Sequence, residues 1–497
     1  MGTISSCDTG EIAVKPIQEP QAEINLSNEE VTSLMLLNEN HEIPFEEIER
    51  QAQEVMDEFS VIGSQNGRTI QSLTPNFKRI TRASTSSSNA RVEEDSATLY
   101  YIVNFTDEAS NPAGYTVISA DERVPGIFTA SMEGEVGDTL TDPGLIIFFG
   151  NLEGYVQREI ESFNAKYDSL VLVALSKLGY TTDAGSDSVE ESQSGRFILP
   201  KDGGDEEPEV ACFVYTSSSY GSWSTAEQVG PFIEAMWGQE SPYNDLVNEF
   251  CDGKRVKLGC GPTAVSQIFT YYQFPPAYGY DIYDWTKITN AINTVKAGAR
   301  PLAIEEFEIS QLCHVVGQSI GAEWDDCSKG TSTTTYDKNI DDGIDELGYT
   351  VSGPVDYSNG TVLDEIKTNQ RPVLIGGNAI RERKGVWPIR WWDHSEGHYF
   401  IIDGYRKRKR QEIKTIELKD CEGNIISTST YYNYQYKDYV HCNLGWSGSD
   451  NAWYVPGVFD TNNLVDSSLS GGRVKYEGTS WNYQFNLRIW TNIKPKY

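Results

Sequence analysis

The sequence predicts an α+β protein built in two parts, and three observations carry that expectation. The chain has 497 residues, more than one ordinary core organises, so two or three domains are expected. Short β-branched and aromatic runs alternate with stretches of helical periodicity, in a composition of 38% hydrophobic and 11% aromatic residues typical of globular proteins. Charge is divided unevenly: residues 1–210 carry 38 Asp/Glu against 13 Lys/Arg, a net of −25, whereas residues 211–497 carry 35 against 27, a net of −8. The total of −33 argues against nucleic acid or an anionic membrane surface as partner. No run of about 18 apolar residues, the length a membrane helix needs, occurs in the chain.

In chain order, Ile4-Ser-Ser-Cys7 resembles a bacterial lipobox, although the apolar segment that should precede it is missing. The expectation is an exported protein, secreted or held at the cell envelope through lipidated Cys7, with residues 1–26 as leader remnant and tether; a chance run of small residues is the alternative. Residues 27–60 read as two amphipathic helices, the first capped by Ser27 or Asn28 before Glu29-Glu30. Thr74 to Asp95, rich in Ser, Thr and Arg, reads as a connector. Strands are expected at 98–105, 114–120 and 127–130, and helix over 145–180. The unit spanning 27–180 holds a single histidine, His41, and no catalytic cluster. Residues 181–211, dominated by Asp, Ser, Gly and Glu, read as an exposed linker where proteolysis would concentrate, with Arg196 and Lys201 as plausible cut points.

Chemistry begins beyond residue 212. Cys260 stands before a helical pattern in which Val265, Ile268, Phe269 and Tyr272 recur on one face, and Pro262 suits its first turn. A cysteine at a helix N-terminus meets unpaired N–H groups and the positive end of the dipole, which favour the nucleophilic thiolate. A buried structural cysteine is the alternative. Thr225–Trp237 also has helical spacing and ends at Gly238-Gln239, where the Gln239 amide is placed to donate to a developing oxyanion.

A thiolate needs a proton carrier near neutral pH, which is a histidine's chemistry. Four histidines lie in this half. His314 falls within the helical pattern 309–320, where it reads as core or surface of that helix. His398 opens an apolar strand, 397–404, that would hold an imidazole rigidly at a cleft edge. Asn443 lies on a second strand, 439–446, and an amide there can fix an imidazole tautomer. His441 shares a face with Asn443 and stays in reserve as the base. A metal reading is also open, since Asp393-His-Ser-Glu-Gly-His398 offers two histidines and two carboxylates; Gly397 and the missing HExxH pattern argue against it. The irregular spacing of the eight cysteines predicts no particular disulfide and no structural zinc.

Four ordered stretches, Trp237–Asn244, Gly259–Gln267, Gly397–Tyr405 and Asn443–Gly448, together resemble the streptopain family of cysteine proteases. Leu312–Gly317 and Arg371–Gly377 match it more weakly, and Tyr115–Arg123 is similar to the family's inhibitory prodomain. The resemblance implies a papain-like two-lobed catalytic domain over 212–497, preceded by an α+β inhibitory prodomain over 27–180 and an activation linker at 181–211. It implies peptide-bond hydrolysis, made as a zymogen, with Cys260 as nucleophile, His398 as general base and acid, Gln239 as oxyanion donor and Asn443 orienting the imidazole. Gly397 and Trp446 would contact substrate, and no cofactor is required. The chain departs from the family pattern at Gly261-Pro262 and at Leu444, where a Trp is usual, leaving Trp446 as the aromatic available to shield the histidine. A Cys/His amidase of the cell wall and an inactive surface-binding protein are the rival readings.

Overall fold

The structure is a computed structural model that describes residues 26–36, 41–65, 73–81, 98–137, 140, 142–178, 181–182, 197–199, 209–211, 213–386, 389–420, 422–461 and 487–496. Cys7 and the two cut-point residues of the linker, Arg196 and Lys201, lie outside the described residues. The chain divides into two compact units, one comprising residues 1–37, 168–217 and 414–431, the other the remainder. In the smaller unit, helix α1 (Asn28–Met35) opens with a capping box: Glu30 N–H donates to Ser27 Oγ at 3.2 Å and Ser27 N–H to Glu30 Oε2 at 2.7 Å. Lys177 pairs with Glu30 at 2.7 Å.

The larger unit is α+β and holds the chemistry. In chain order it contains α2 (Phe45–Gln65), β1 (Thr74–Thr81), β2 (Thr98–Thr106), β3 (Pro112–Ser119), β4 (Ile127–Ser131) and α3 (Pro143–Asn164). Helix α4 (Tyr167–Lys177) then leads into the smaller unit. There follow β5 (Phe213–Tyr220), which begins in the smaller unit and enters the larger at Ser218, β6 (Ser224–Val229), α5 (Cys260–Tyr272), α6 (Trp285–Lys296), α7 (Ala303–Ser319) and α8 (Asp337–Glu346). The chain ends with β7 (Tyr349–Asp356), β8 (Val373–Val386), β9 (Ile389–Lys419), β10 (Ile425–Asn443), β11 (Ala452–Tyr454) and β12 (Leu487–Pro495). These strands form one sheet in the order β1-β2-β3-β4-β11-β10-β9-β8-β12-β7, with β5 and β6 also pairing with β9. The first half of the chain therefore extends the sheet of the second half, joined where Thr129 and Ala130 of β4 face Tyr454 and Trp453 of β11.

Strand alternation sends successive side chains to opposite faces, and here each face has its own core. Phe400, Ile402, Ile375 and Ile489 join a core with α3, including Leu145, Ile147 and Phe148. Tyr399, Ile401, Leu374 and Trp490 join a second core with α5–α8, including Val265, Ile268, Phe269, Leu312 and Val316. Phe269 stacks on Tyr349 at 4.0 Å within it. The result is two lobes, one helical and one built on the sheet. Helix α2 lays Ile48, Ala52, Val55 and Phe59 on Val103, Phe105, Ile118 and Ile127 as a third, smaller cluster.

Three sequence expectations are corrected. Thr74–Thr81 is not a connector but an edge strand paired with β2, because polar residues at an edge keep one side in water. Helix over 145–180 is two helices, α3 ending at the Ala165 cap. Thr225–Trp237 is extended rather than helical. Its N–H groups are taken by tertiary acceptors: Phe232 N–H donates to the Asp403 carbonyl (3.0 Å), Ile233 N–H to Asp403 Oδ2 (2.9 Å) and Trp237 N–H to Gln267 Oε1 (2.9 Å).

A disulfide the spacing did not reveal joins Cys251 and Cys327 across 76 residues. It fastens the hairpin that leads to Cys260, whose Lys257 N–H also donates to the Thr331 carbonyl at 2.9 Å. Replacing both cysteines by serine is expected to lower unfolding stability by about 2–4 kcal/mol, read as a shifted denaturant midpoint under oxidising conditions. An unchanged midpoint would show that the bond restrains nothing in the unfolded chain.

Candidate active site

Helix α5 starts at Cys260 because Gly259, at φ 101°, turns the chain sharply into it; a Cβ at Gly259 would lie 2.9 Å from Thr333 Cγ2. The buried Val265, Ile268 and Phe269 then anchor the helix in the helical lobe, fixing the position of its first residue. The Cys260 sulfur accepts a hydrogen bond from Tyr399 N–H at 3.4 Å. Strand β9 thus touches Cys260 through the residue next to His398.

His398 lies on β9 opposite Gly377 of β8, and its side chain points to the face away from the helical lobe. It is 1% exposed. Its Nε2 is 3.0 Å from the Leu444 carbonyl oxygen, and its ring stacks on Phe400 (5.9 Å) and Trp446 (6.4 Å). Among the described residues no hydrogen bond joins the imidazole to the Cys260 sulfur. Burial lowers the His398 pKa to about 4, only partly opposed by the Leu444 carbonyl, so the ring is neutral at pH 7. Burial likewise pushes the Cys260 thiol up, against the backbone N–H groups of Tyr399, Gly261 and Cys260 itself. The pair rests as neutral thiol and neutral imidazole.

The cover is helix α3. Its first turn is set by the Asp142 cap, whose Oδ1 accepts from Gly144 N–H (2.6 Å) and Leu145 N–H (3.3 Å). Gly144 lies so close to Leu444 that a Cβ there would be 2.8 Å from both its methyl carbons. Ile147, one turn on, approaches Gly377, the partner of His398. The helix therefore presses on both neighbours of the imidazole.

Asn443 is placed otherwise than expected. Its Nδ2 donates to the Ala235 carbonyl (2.9 Å) and to Gln267 Oε1 (3.2 Å), and its Oδ1 accepts from Gly445 N–H (3.2 Å). The atom facing His398 is the main-chain oxygen of the next residue, Leu444. The Asn443 side chain is taken up by the 231–239 segment and Gln267, whereas the Leu444 side chain packs on Gly144 of α3 and its carbonyl meets the imidazole. Asn443, Gln267 and Asp403 together clamp that segment, which ends at Gln239. Gln239 is 9% exposed and its carbonyl accepts Leu258 N–H at 2.8 Å, two residues before Cys260. Thr263 in the first turn of α5 reaches the Gly238 carbonyl at 3.3 Å. Gln239 and Cys260 are thereby brought together. All three clamping residues fall within the ordered stretches Gly259–Gln267, Gly397–Tyr405 and Asn443–Gly448, but nothing local in them signals this clamp.

Gly397 is exposed beside His398, and Trp446 is half-buried with Lys257 Nζ 5.4 Å above its ring. The reserve histidine, His441, is bound through Nδ1 to Asp403 at 2.6 Å, and His314 stacks on Trp324 at 5.3 Å; both serve packing. His394 and His398 lie on a strand, not on one face of a helix. Among the described residues no group of three or more His, Cys, Asp or Glu side chains could hold a metal ion.

Residues 237–454 match the model of the peptidase C10 family, a span holding Gln239, Cys260, His398, Asn443 and Trp446. The match makes the chain a cysteine peptidase. Two solved structures from Prevotella intermedia are similar to it. A prointerpain A fragment is 15% identical with a TM-score of 0.45, over 84% of this chain and all of that one. Active interpain A cysteine protease is 18% identical with a TM-score of 0.33, over 53% of this chain and 95% of that one. Comparison with curated proteins gives no match.

Proposed function

We propose that this C10 peptidase is an endopeptidase made as a zymogen, residues 27–180 forming an inhibitory propeptide and 181–211 the segment cut on activation. The observation that carries the reading is the first turn of α3 packed on Leu444 and Gly377, on either side of a buried, neutral His398. Once α3 leaves, His398 regains water and is free to turn from the Leu444 carbonyl toward Cys260, with which it then shares a proton. The Cys260 sulfur attacks the substrate carbonyl carbon, and Gln239 with a backbone N–H holds the oxyanion. His398 protonates the leaving amine, then activates the water that releases the acyl group. Trp446 shields the imidazole edge, taking over from the Trp that Leu444 replaces. Incubating the full chain under reducing conditions and sequencing any new amino terminus tests this. A cut within about 181–215 is expected. Activity of the uncut chain equal to that of the cut chain would overturn the propeptide assignment.

The cover carries its own pH dependence. Asp142 of α3 and Asp450, in the loop after Trp446, are both enclosed, and each has one oxygen without a partner. Burial and the Asp450 charge raise the Asp142 pKa to about 8, while burial raises that of Asp450 to about 6. A carboxyl whose pKa is raised on docking stabilises the docked state below its free pKa, and that contribution is lost as pH rises through the raised value. His398 works the opposite way, losing its contribution as pH falls from about 6.5 to about 4. Between pH 6.5 and 8 the aspartates lose their protons, while Lys437, lowered by burial to about 8 against the Pro125 carbonyl, begins to titrate only at the top of that window, so activation should quicken with pH across most of it. Asp142→Asn keeps the helix cap and removes the charge, and its activation rate is expected to stay flat over the same window. A variant as steep as the parent would assign the dependence to other groups.

The reading of the amino terminus adds export and anchoring through Cys7. Mass spectrometry of the native protein is expected to show a lipid-modified cysteine; a free Cys7 would end it.

A further inference from the structure

Strand β9 carries an unbroken basic run, Arg406-Lys-Arg-Lys-Arg410, in a chain of net charge −33. Alternation divides it between two faces. Lys407 and Lys409 lie over the exposed rings of Tyr436 (5.1 Å) and Tyr434 (5.6 Å). The three arginines lie on the other face, which is covered by α2. Arg410 stacks on Tyr220 (4.0 Å) and Trp223 (4.9 Å) and pairs with Glu47 at 2.8 Å. Arg408 pairs with Glu58 at 2.8 Å, and Arg406 reaches Glu58 at 3.4 Å while stacking on Trp453 at 4.3 Å. The ring platform and all three arginines belong to the part beyond residue 211, and the glutamates to the part before 181.

The spacing matches as well as the charge. From Glu47 to Glu58 a helix rises about 16 Å, and from Arg406 to Arg410 a strand rises about 13 Å, so the two rows run alongside. Arg410 is 2% exposed in its side chain, enclosed by Glu47 of α2 together with Tyr220, Trp223 and Gln435, to whose Oε1 its Nε donates at 2.7 Å. Arg408 Nε and Trp223 Nε1 are buried donors without a partner even now. Removing α2 would take Glu47 and Glu58 away from three guanidinium groups, two of them held on aromatic rings: Arg410 on Tyr220 and Trp223, and Arg406 on Trp453. Arginine held this way is suited to bidentate recognition of carboxylates.

We propose that this arginine face becomes an exosite of the activated enzyme that captures acidic segments of protein substrates, with helix α2 as its internal stand-in in the uncut chain. The inference rests on the propeptide assignment above. Capture acts at a distance from Cys260, so it raises the local concentration of a tethered substrate and lowers KM without changing kcat.

The test compares three fluorogenic substrates with one cleavable core on the activated full chain. The first is the core alone. The second carries residues 45–65 on a flexible linker, and the third carries the same segment with E47Q, E54Q and E58Q. At 50 mM salt the acidic extension is expected to lower KM about tenfold relative to its Gln counterpart, a size set by a few partly exposed ion pairs. The difference should vanish at 0.5 M salt. An R406Q/R408Q variant should lose the preference while cleaving the bare core normally, and because the substrates differ while the enzyme does not, the comparison survives a variant that fails to fold. Equal KM for the two extended substrates would overturn the exosite while leaving the peptidase intact. No cleavage of the bare core by the processed chain would overturn the activation reading, and the exosite with it.

Discussion

Cys260→Ala is expected to lower hydrolysis of any peptide substrate by at least about 10⁴-fold and to abolish self-processing, because covalent catalysis loses its nucleophile while the oxyanion donors remain. The measurement is kcat/KM of chains cut by trypsin, so that activation and chemistry are separated. Folding should be unaffected: Cys260 is half-buried at the start of α5, and its sulfur holds one weak hydrogen bond from Tyr399. Residual activity within tenfold of the parent would place the nucleophile elsewhere and return Cys260 to a structural cysteine at a turn. It would also leave the rival reading of an inactive binding protein without its simplest support, since some other group would then be catalytic.

The second large effect is on the reactivity of Cys260 itself. In the uncut chain the thiol is pushed above its usual value near 9 by burial and has no imidazolium beside it. At pH 7 at most about 1% is then thiolate, whereas a cysteine sharing a proton with histidine is mostly thiolate. Alkylation by iodoacetamide at pH 7 is therefore expected to run about 100-fold faster after processing than before. The uncut chain should label appreciably only above about pH 9, with the processed chain labelling down to about pH 5. Cys313 and Cys442 are buried and serve as internal controls, since mass spectrometry resolves the sites. Equal rates before and after the cut would mean that α3 does not control the thiol, and the cover described for Leu444 and Gly377 would have no functional consequence.

The clamp on residues 231–239 explains why Asn443 is placed as it is. A segment ending in Gln239 has no regular hydrogen bonding of its own after β6, so its N–H and carbonyl groups are satisfied by side chains reaching in from three elements: Asp403 of β9, Asn443 of β10 and Gln267 of α5. Helical spacing in Thr225–Trp237 was misleading for the same reason. Apolar residues there pack into the helical core as an extended chain, with Ile233, Ala235 and Trp237 alternating inward. Period two within a mixed apolar run is easily taken for a helix when its partners are far away in sequence.

By itself the sequence determined the α+β class and the order of stretches that points to a cysteine peptidase, because each rests on local signals: a helix start, an apolar strand, and spacing in order along the chain. Only the tertiary structure decided how the residues of those stretches are used in the uncut chain. Which face of β9 His398 takes, that a Leu444 carbonyl rather than the Asn443 amide meets it, that Cys251 bonds Cys327, and that α2 covers three arginines all depend on contacts between residues tens to hundreds of positions apart. Alternation along a strand is legible in sequence; what waits on either side of it is not, because burial and pairing belong to the fold as a whole.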